Sequence, residues 1–217
     1  MSNYYPESKV ELKGFIAKHY DTLLNMATFG RYSVFIKNVV MLMKIGKNHK
    51  IIDFGAGTGR NACLMLKHLS QEGELVGLDI SKDMLAQFNK NCADFSNARV
   101  INKRIDRELE YKGYFDRVFI SFVLYGFPQD ARKVIIRNAF RSLRKGGQFF
   151  ILDYNEFLLK NMPFYSRIPF KWVECPYAFD FIERDWRGIL SEEGFDNFEE
   201  HLFFKGYVRL LKAERVL

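Results

Sequence analysis

Ile51-Ile52-Asp53-Phe54-Gly55-Ala56-Gly57-Thr58-Gly59-Arg60 runs from an apolar stretch into a glycine-rich turn and on into residues at helical spacing. In a doubly wound α/β sheet such a strand-turn-helix junction is a ligand site, at the carboxyl end of the first strand. The glycines let backbone approach a ligand with no Cβ in the way. The spacing is D-x-G-x-G-x-G, and Arg60 stands where the third glycine of a dinucleotide turn would fall. A dinucleotide offers an anionic pyrophosphate to the helix N-terminus. An acid ahead of the glycines suits a ligand with a cationic end. S-adenosylmethionine, a zwitterionic amino acid with a sulfonium, is such a ligand, and Asp53 can take its ammonium. Asp79, in Gly77-Leu78-Asp79-Ile80-Ser81, ends the next strand twenty residues beyond Gly59. From there a carboxylate accepts both ribose hydroxyls. Asp106, in Lys103-Arg104-Ile105-Asp106, follows the third strand and is placed to accept the adenine amino group. Carboxylates at three successive strand ends form a set that reads a nucleoside.

Outward from this loop, short apolar runs alternate with helical stretches, the pattern of a parallel sheet covered on both faces. The runs lie near 50–54, 74–78, 99–102, 115–122 and 148–153. Helices are expected near 60–69, 82–92 and 131–143, the last ended by Lys145-Gly146-Gly147. A later helix is expected to start at the capping box Asp180-Phe181-Ile182-Glu183 and to stop before Gly194, and the tail 198–214 reads as a hairpin turning at Lys205-Gly206. Ahead of the loop, Ser8-Lys9-Val10-Glu11 is a capping box that opens one amphipathic helix, with apolar positions from Leu12 to Leu24. A second helix carries Tyr32, Phe35, Ile36, Val39, Val40 and Met43 and stops at Gly46.

With 217 residues, 48% of them hydrophobic and 27% charged, and with no linker or repeat, one domain with one large core is expected. The net charge of +7 is concentrated: residues 1–50 hold eight Lys/Arg against three acids. Such an excess raises nucleic acid or an anionic membrane as partners, but it comes with no Lys/Arg block and no RNA-binding signature, and nucleic acid is not the expected partner. The N-terminus lacks a signal peptide's pattern, and no apolar stretch of about 18 residues could span a bilayer, so a cytoplasmic protein is expected. Cys63, Cys92 and Cys175 are odd in number and far apart in sequence, which gives neither a disulfide framework nor a zinc spacing. No metal is expected.

Beside the loop and the acid after it stand His19-Tyr20-Asp21-Thr22-Leu23-Leu24-Asn25, Phe29-Gly30, Phe115-Asp116 opening the fourth strand, Leu143-Arg144-Lys145-Gly146-Gly147 and Phe164-Tyr165. On these residues the chain resembles the class I S-adenosylmethionine-dependent methyltransferases over its whole length. Within them it is similar to the ubiquinone/menaquinone biosynthesis C-methyltransferase family. The resemblance implies a Rossmann-like α/β fold with a mostly parallel seven-stranded sheet whose last strand is antiparallel. A single domain over 1–217 would comprise an N-terminal helical lid (1–46), a cofactor-binding core (47–153), an aromatic substrate segment (154–178) and a C-terminal helix and hairpin (179–217). S-adenosyl-L-methionine is the implied cofactor and S-adenosyl-L-homocysteine the product. The cofactor site would comprise Tyr20, Asp53, Gly55, Ala56, Gly57, Thr58, Gly59, Asp79, Ile80, Ile105 and Asp106, with Ser121 and Phe122 bordering the methionyl part. The family usually carries an Arg-Asn pair just after the fourth strand, facing the substrate ring. This chain has Leu124-Tyr125-Gly126-Phe127 there.

A sulfonium is already an activated methyl donor, so positioning and water exclusion can supply most of the rate. Where the acceptor needs a base, the candidates are Asp153 and Tyr154 at the end of the fifth strand, Tyr125 at the end of the fourth, and His19 or Tyr20 in the N-terminal lid. The segment 154–177 is rich in aromatics interspersed with Lys160, Arg167 and Lys171, and Pro163, Pro169 and Pro176 argue against one long helix there. That composition suits a lipidic acceptor collected at an anionic membrane surface, with peripheral contact to it. A hydrophobic small molecule, such as a lipid quinol or a phospholipid head group, is therefore the expected methyl acceptor. Two alternatives stand beside it. A nucleic-acid methyltransferase would call for an Asn/Asp-Pro-Pro-Tyr-type motif after the fourth strand, which Tyr125-Gly126-Phe127-Pro128 does not supply. A non-catalytic binding protein would use the aromatic segment to hold a partner.

Overall fold

The computed structural model describes Tyr5, Ser8 and residues 31–216. The helix expected from the first capping box, His19, Tyr20 and Phe29-Gly30 lie outside the described residues. The elements in chain order are α1 (Arg31–Leu42), β1 (Lys50–Phe54), α2 (Arg60–Leu66), β2 (Glu74–Asp79), α3 (Lys82–Asn91), β3 (Ala98–Asn102), β4 (Phe115–Ser121) and α4 (Gln129–Ser142). They continue with β5 (Leu143–Tyr154), α5 (Phe164–Val173), α6 (Pro176–Ile182), α7 (Trp186–Glu192), β6 (Phe195–Phe203) and β7 (Val208–Arg215).

One seven-stranded sheet has the order β3-β2-β1-β4-β5-β7-β6. Pairing is parallel from β3 to β5, and β7 runs antiparallel to both β5 and β6. The doubly wound, mostly parallel sheet expected from the sequence is thus formed, hairpin included. The chain leaves β1 toward β2 on one side and later returns to β4 on the other, so the carboxyl end of β1 is the topological switch point.

Side chains alternate across each strand and fill two cores. Ile52, Phe54, Val118 and Ile120 point to one face, where Ile135 and Ile136 of α4 and Trp186 of α7 cover them. Ile51, Leu75, Phe119 and Phe150 point to the other, under α1, α2 and α3. Both faces being covered, the strands read as continuous apolar runs. Within the stretch 1–46 expected as a lid, α1 packs on the sheet, with Ile36, Val39 and Met43 fully buried. Arg60, at the start of α2, reaches Ser33 Oγ at 2.7 Å and lies over the Tyr32 ring, tying α1 to the loop region.

Two local expectations need correction. α4 ends at Ser142 and passes directly into β5, so Lys145-Gly146-Gly147 does not stop the helix but sits in a bulge, where the register with β4 shifts and Gly146 takes a φ of 72°. Carbonyls at the end of α4 are satisfied from elsewhere: Arg215 of β7 donates to Phe140 O and Arg141 O at 3.0 and 3.4 Å, and also to Leu143 O at the start of β5 at 2.6 Å. The capping box at Asp180 is not a helix start. Asp180 lies inside α6, engaged by Arg132 and Arg184, and α7 begins instead at Asp185, whose Oδ1 accepts from Gly188 N at 3.0 Å. The aromatic segment forms no single long helix, as expected: Pro163 and Pro176 stand at the starts of α5 and α6, while Pro169 lies within α5. The cysteines are free thiols: Cys63 Sγ donates to Asn91 O at 3.3 Å, and Cys92 Sγ donates to Gly59 O at 3.5 Å.

Candidate active site

The loop after β1 is tied down before it meets any ligand. Gly55 N and Ala56 N donate to Leu78 O at 2.8 and 3.0 Å, and Gly57 N donates to Asp79 Oδ2 at 2.9 Å. Asn91 of α3 holds Thr58 O at 2.9 Å. The outer glycines are needed for packing: a Cβ on Gly55 would stand 2.6 Å from Val123, and one on Gly59 would stand 2.8 Å from Phe88. Gly57 differs. Its φ is 54°, and an added Cβ would meet nothing nearer than Gly55 O at 4.0 Å, so this glycine leaves an open face toward the cleft.

Asp53, the last residue but one of β1, is almost fully enclosed, and its Oδ2 has no hydrogen-bond partner among the described residues. Burial, reinforced by the charge of Asp79, pushes its carboxyl up to about 8. Asp79 is also raised by burial, opposed by the amides of Ser81 and Gly57 that bond its oxygens. Those amides fix the carboxylate's direction while leaving further lone pairs free to accept hydroxyls. Asp106 lies beyond β3 with its Oδ2 taken by the Tyr5 hydroxyl at 2.7 Å and by Arg104 at 2.5 Å. Burial raises its carboxyl, but these two partners outweigh burial and the net shift is downward. Tyr5 also packs edge-on against Phe127. The orphaned buried oxygen of Asp53, the oriented carboxylate of Asp79 and the open face of Gly57 fit a ligand that carries a cation at one end and hydroxyls at the other.

Beside the loop, the carboxyl ends of β4 and β5 carry an aromatic wall. After Ser121, Phe122 adopts a φ of 52°, uncommon for a residue with a side chain and costing about 1 kcal/mol. Its amide donates to Leu152 O at 2.8 Å. The Phe122, Tyr125 and Phe170 rings stand edge-on to Tyr154, at 6.3, 5.2 and 5.2 Å. The Tyr154 hydroxyl donates to Glu174 at 2.5 Å, and burial together with that carboxylate holds the phenol well above its ordinary pKa. Asp153 is fully enclosed, and its two oxygens accept from Tyr154 N at 2.8 Å and Tyr125 N at 3.2 Å, with burial pushing it up to about 7. Ile80 is exposed next to Asp79, and Ile105 is buried next to Asp106. The structure joins Asp53, Gly57 and Asp79 in one connected group and Phe122, Tyr125, Asp153 and Tyr154 in another, with Asp106 held separately beyond β3, whereas His19 and Tyr20 are outside the described residues. Among the described residues no group of His, Cys, Asp and Glu could hold a metal.

Several contributors were not picked out from sequence. Glu174 holds the Tyr154 hydroxyl of the wall, and Tyr5 and Arg104 share Asp106. Arg132 of α4 is fully buried and donates to Leu124 O, Tyr125 O, Tyr177 O and Asp180, binding the turn after β4 to α6. Only the aromatic richness of 154–177 signalled any of this.

Residues 51–147 match the family model described as a methyltransferase domain. Together with the sheet order and the loop, this makes the chain an S-adenosylmethionine-dependent methyltransferase, with S-adenosylmethionine as its cofactor. More particularly, it is similar to the demethylmenaquinone methyltransferase of Staphylococcus carnosus, with 26% identity over 211 residues, 88% of this chain and 86% of that one. It is also similar to the ubiquinone/menaquinone biosynthesis C-methyltransferase of Proteus mirabilis, with 23% identity over 180 residues, 82% and 68% of the two chains. Among solved structures, a SAM-dependent methyltransferase from Aquifex aeolicus shares the fold with a TM-score of 0.62 at 14% identity, over 86% of this chain and 93% of that one.

Proposed function

We propose that the methyl acceptor is a hydrophobic small molecule, an aromatic lipid-soluble quinol of the demethylmenaquinol type. The observation that carries this reading is the wall of Phe122, Tyr125, Tyr154 and Phe170 beside the cofactor loop, a surface that suits a flat ring. The relatives named above act on quinone precursors, which supports the same choice, and Leu124-Tyr125-Gly126-Phe127 would replace the family's polar pair by ring stacking.

In this reading Asp53 binds the cofactor's ammonium, Asp79 the ribose hydroxyls and Asp106 the adenine amino group, the last sharing its carboxylate with Tyr5 and Arg104. Gly57 gives the backbone its close approach, and Ile80 and Ile105 flank the base. Bound S-adenosylmethionine supplies an activated methyl group. Asp153 acts as a positioning residue, fastening the amides of Tyr125 and Tyr154 so that both rings keep their places. Tyr154 Oη, already donating to Glu174, can take a proton from the acceptor as its own passes to that carboxylate.

The test is incubation of the purified chain with S-adenosylmethionine labelled on the methyl group, and with either reduced demethylmenaquinone or phosphatidylethanolamine in detergent micelles. Label in the quinol is expected. Label only in the phospholipid, or in neither, contradicts the proposal.

A further inference from the structure

α5 divides its side chains between two tasks. Phe170 faces inward, its ring 5.2 Å from Tyr154, 6.0 Å from Phe157 and 5.8 Å from Phe179. At 3.6 residues per turn, Phe164, Tyr165, Ile168 and Trp172 fall within an arc of about 100° on the opposite side. All four are exposed, Trp172 to 84% and Phe164 to 68%. Arg167 and Lys171 run along one edge of that arc, Lys160 precedes it, and residues 157–173 contain no acid.

A contiguous apolar face of this kind in water marks an interaction site. Its chemistry discriminates among partners. Two copies related by a two-fold axis would bring this cationic edge against itself, which disfavours self-association. Large aromatic side chains flanked by Lys and Arg without carboxylates match the interface of an anionic bilayer, where rings lie at the head-group level and cations meet lipid phosphates. No helix among the described residues is long and apolar enough to cross a membrane, and α5, ten residues long, would lie along the surface. We propose that the outer face of α5 docks the protein onto anionic phospholipid bilayers. The inference does not depend on the quinol assignment. It does put the Tyr125 and Tyr154 wall directly behind the docked helix, with Phe170 linking the two.

The test uses the whole chain with vesicles of phosphatidylcholine alone and vesicles in which about a third of the lipid is phosphatidylglycerol. The chain has two tryptophans, and Trp186 is buried, so a blue shift of emission on binding reports on Trp172. The wild type is expected to float with the anionic vesicles, to shift its emission, and to bind phosphatidylcholine at least about tenfold more weakly. Phe164→Ala with Trp172→Ala, and separately Lys160→Gln with Lys171→Gln, should each weaken flotation by about tenfold or more. Neither pair should change cofactor affinity or the thermal midpoint. Wild type that stays in solution with both vesicles, variants that float as well as wild type, or a lipid-independent dimer that the Phe164→Ala/Trp172→Ala pair disperses would overturn the proposal. Failure of quinol methylation would leave this result untouched, because flotation reads no chemistry.

Discussion

Asp53 brings a carboxyl group to a place that water barely reaches, and its Oδ2 finds no donor among the described residues. In the ligand-free chain the acid form is favoured up to about 8, against an ordinary value of 3.8. An incoming ammonium favours the carboxylate, so binding lowers this pKa and expels a proton. Titration calorimetry near pH 7, in buffers of different ionisation enthalpy, should therefore show proton release when S-adenosylmethionine binds, and Asp53→Asn should remove it. Stability carries the same sign. The folded chain holds this proton more tightly than the unfolded chain, so the penalty is absent below 3.8, where both states are protonated, and complete above about 8. Asp153, raised to about 7, adds in the same direction. The thermal midpoint of the ligand-free protein should fall between pH 5 and 8, and fall less in Asp53→Asn. A midpoint that rises with pH over that window would show that other groups dominate.

At the scale of elements, the three loop glycines are not equivalent. Gly59→Ala meets Phe88 at 2.8 Å and should destabilise the chain by about 1–3 kcal/mol, read by urea unfolding. Gly57→Ala meets nothing within that range, carries only the strain of its backbone angle, about 1–2 kcal/mol, and should lose cofactor affinity out of proportion to stability. Arg132→Met should cost about 3 kcal/mol, because it leaves the carbonyls of Leu124, Tyr125 and Tyr177 without their donor. Its effect should extend to α6, and hydrogen exchange there would detect it. The elements themselves were largely legible. β1 begins and ends where its apolar run does, and the tail hairpin turns at Lys205-Gly206, because both rest on local pattern and turn chemistry. The capping box at Asp180 misled because an acid three residues before a glutamate also occurs inside a helix when arginines claim the acid. Asp185, five residues on, caps the true start.

For the molecule as a whole, the legible part is the part encoded in one segment. Asp53, the glycines and Asp79 could be placed from spacing along two adjacent strands. Tyr5 meets Asp106 across 101 positions, Arg132 meets Asp180 across 48, and Tyr154 meets Glu174 across 20, and no short pattern announces such meetings. The fold supplies them by drawing the carboxyl ends of β1, β2, β4 and β5 to one edge of the sheet. That edge then joins an acidic half, with Asp53, Asp79 and the glycine loop, to an aromatic half, with the outer face of α5 behind the latter.

The most direct test of this arrangement is a crystal structure with S-adenosylhomocysteine. Its amino group is predicted to lie against the Asp53 carboxylate and its ribose hydroxyls against Asp79, with Gly57 facing the ligand. A nucleoside bound elsewhere, or lying in the cleft with either carboxylate out of contact, would contradict the account.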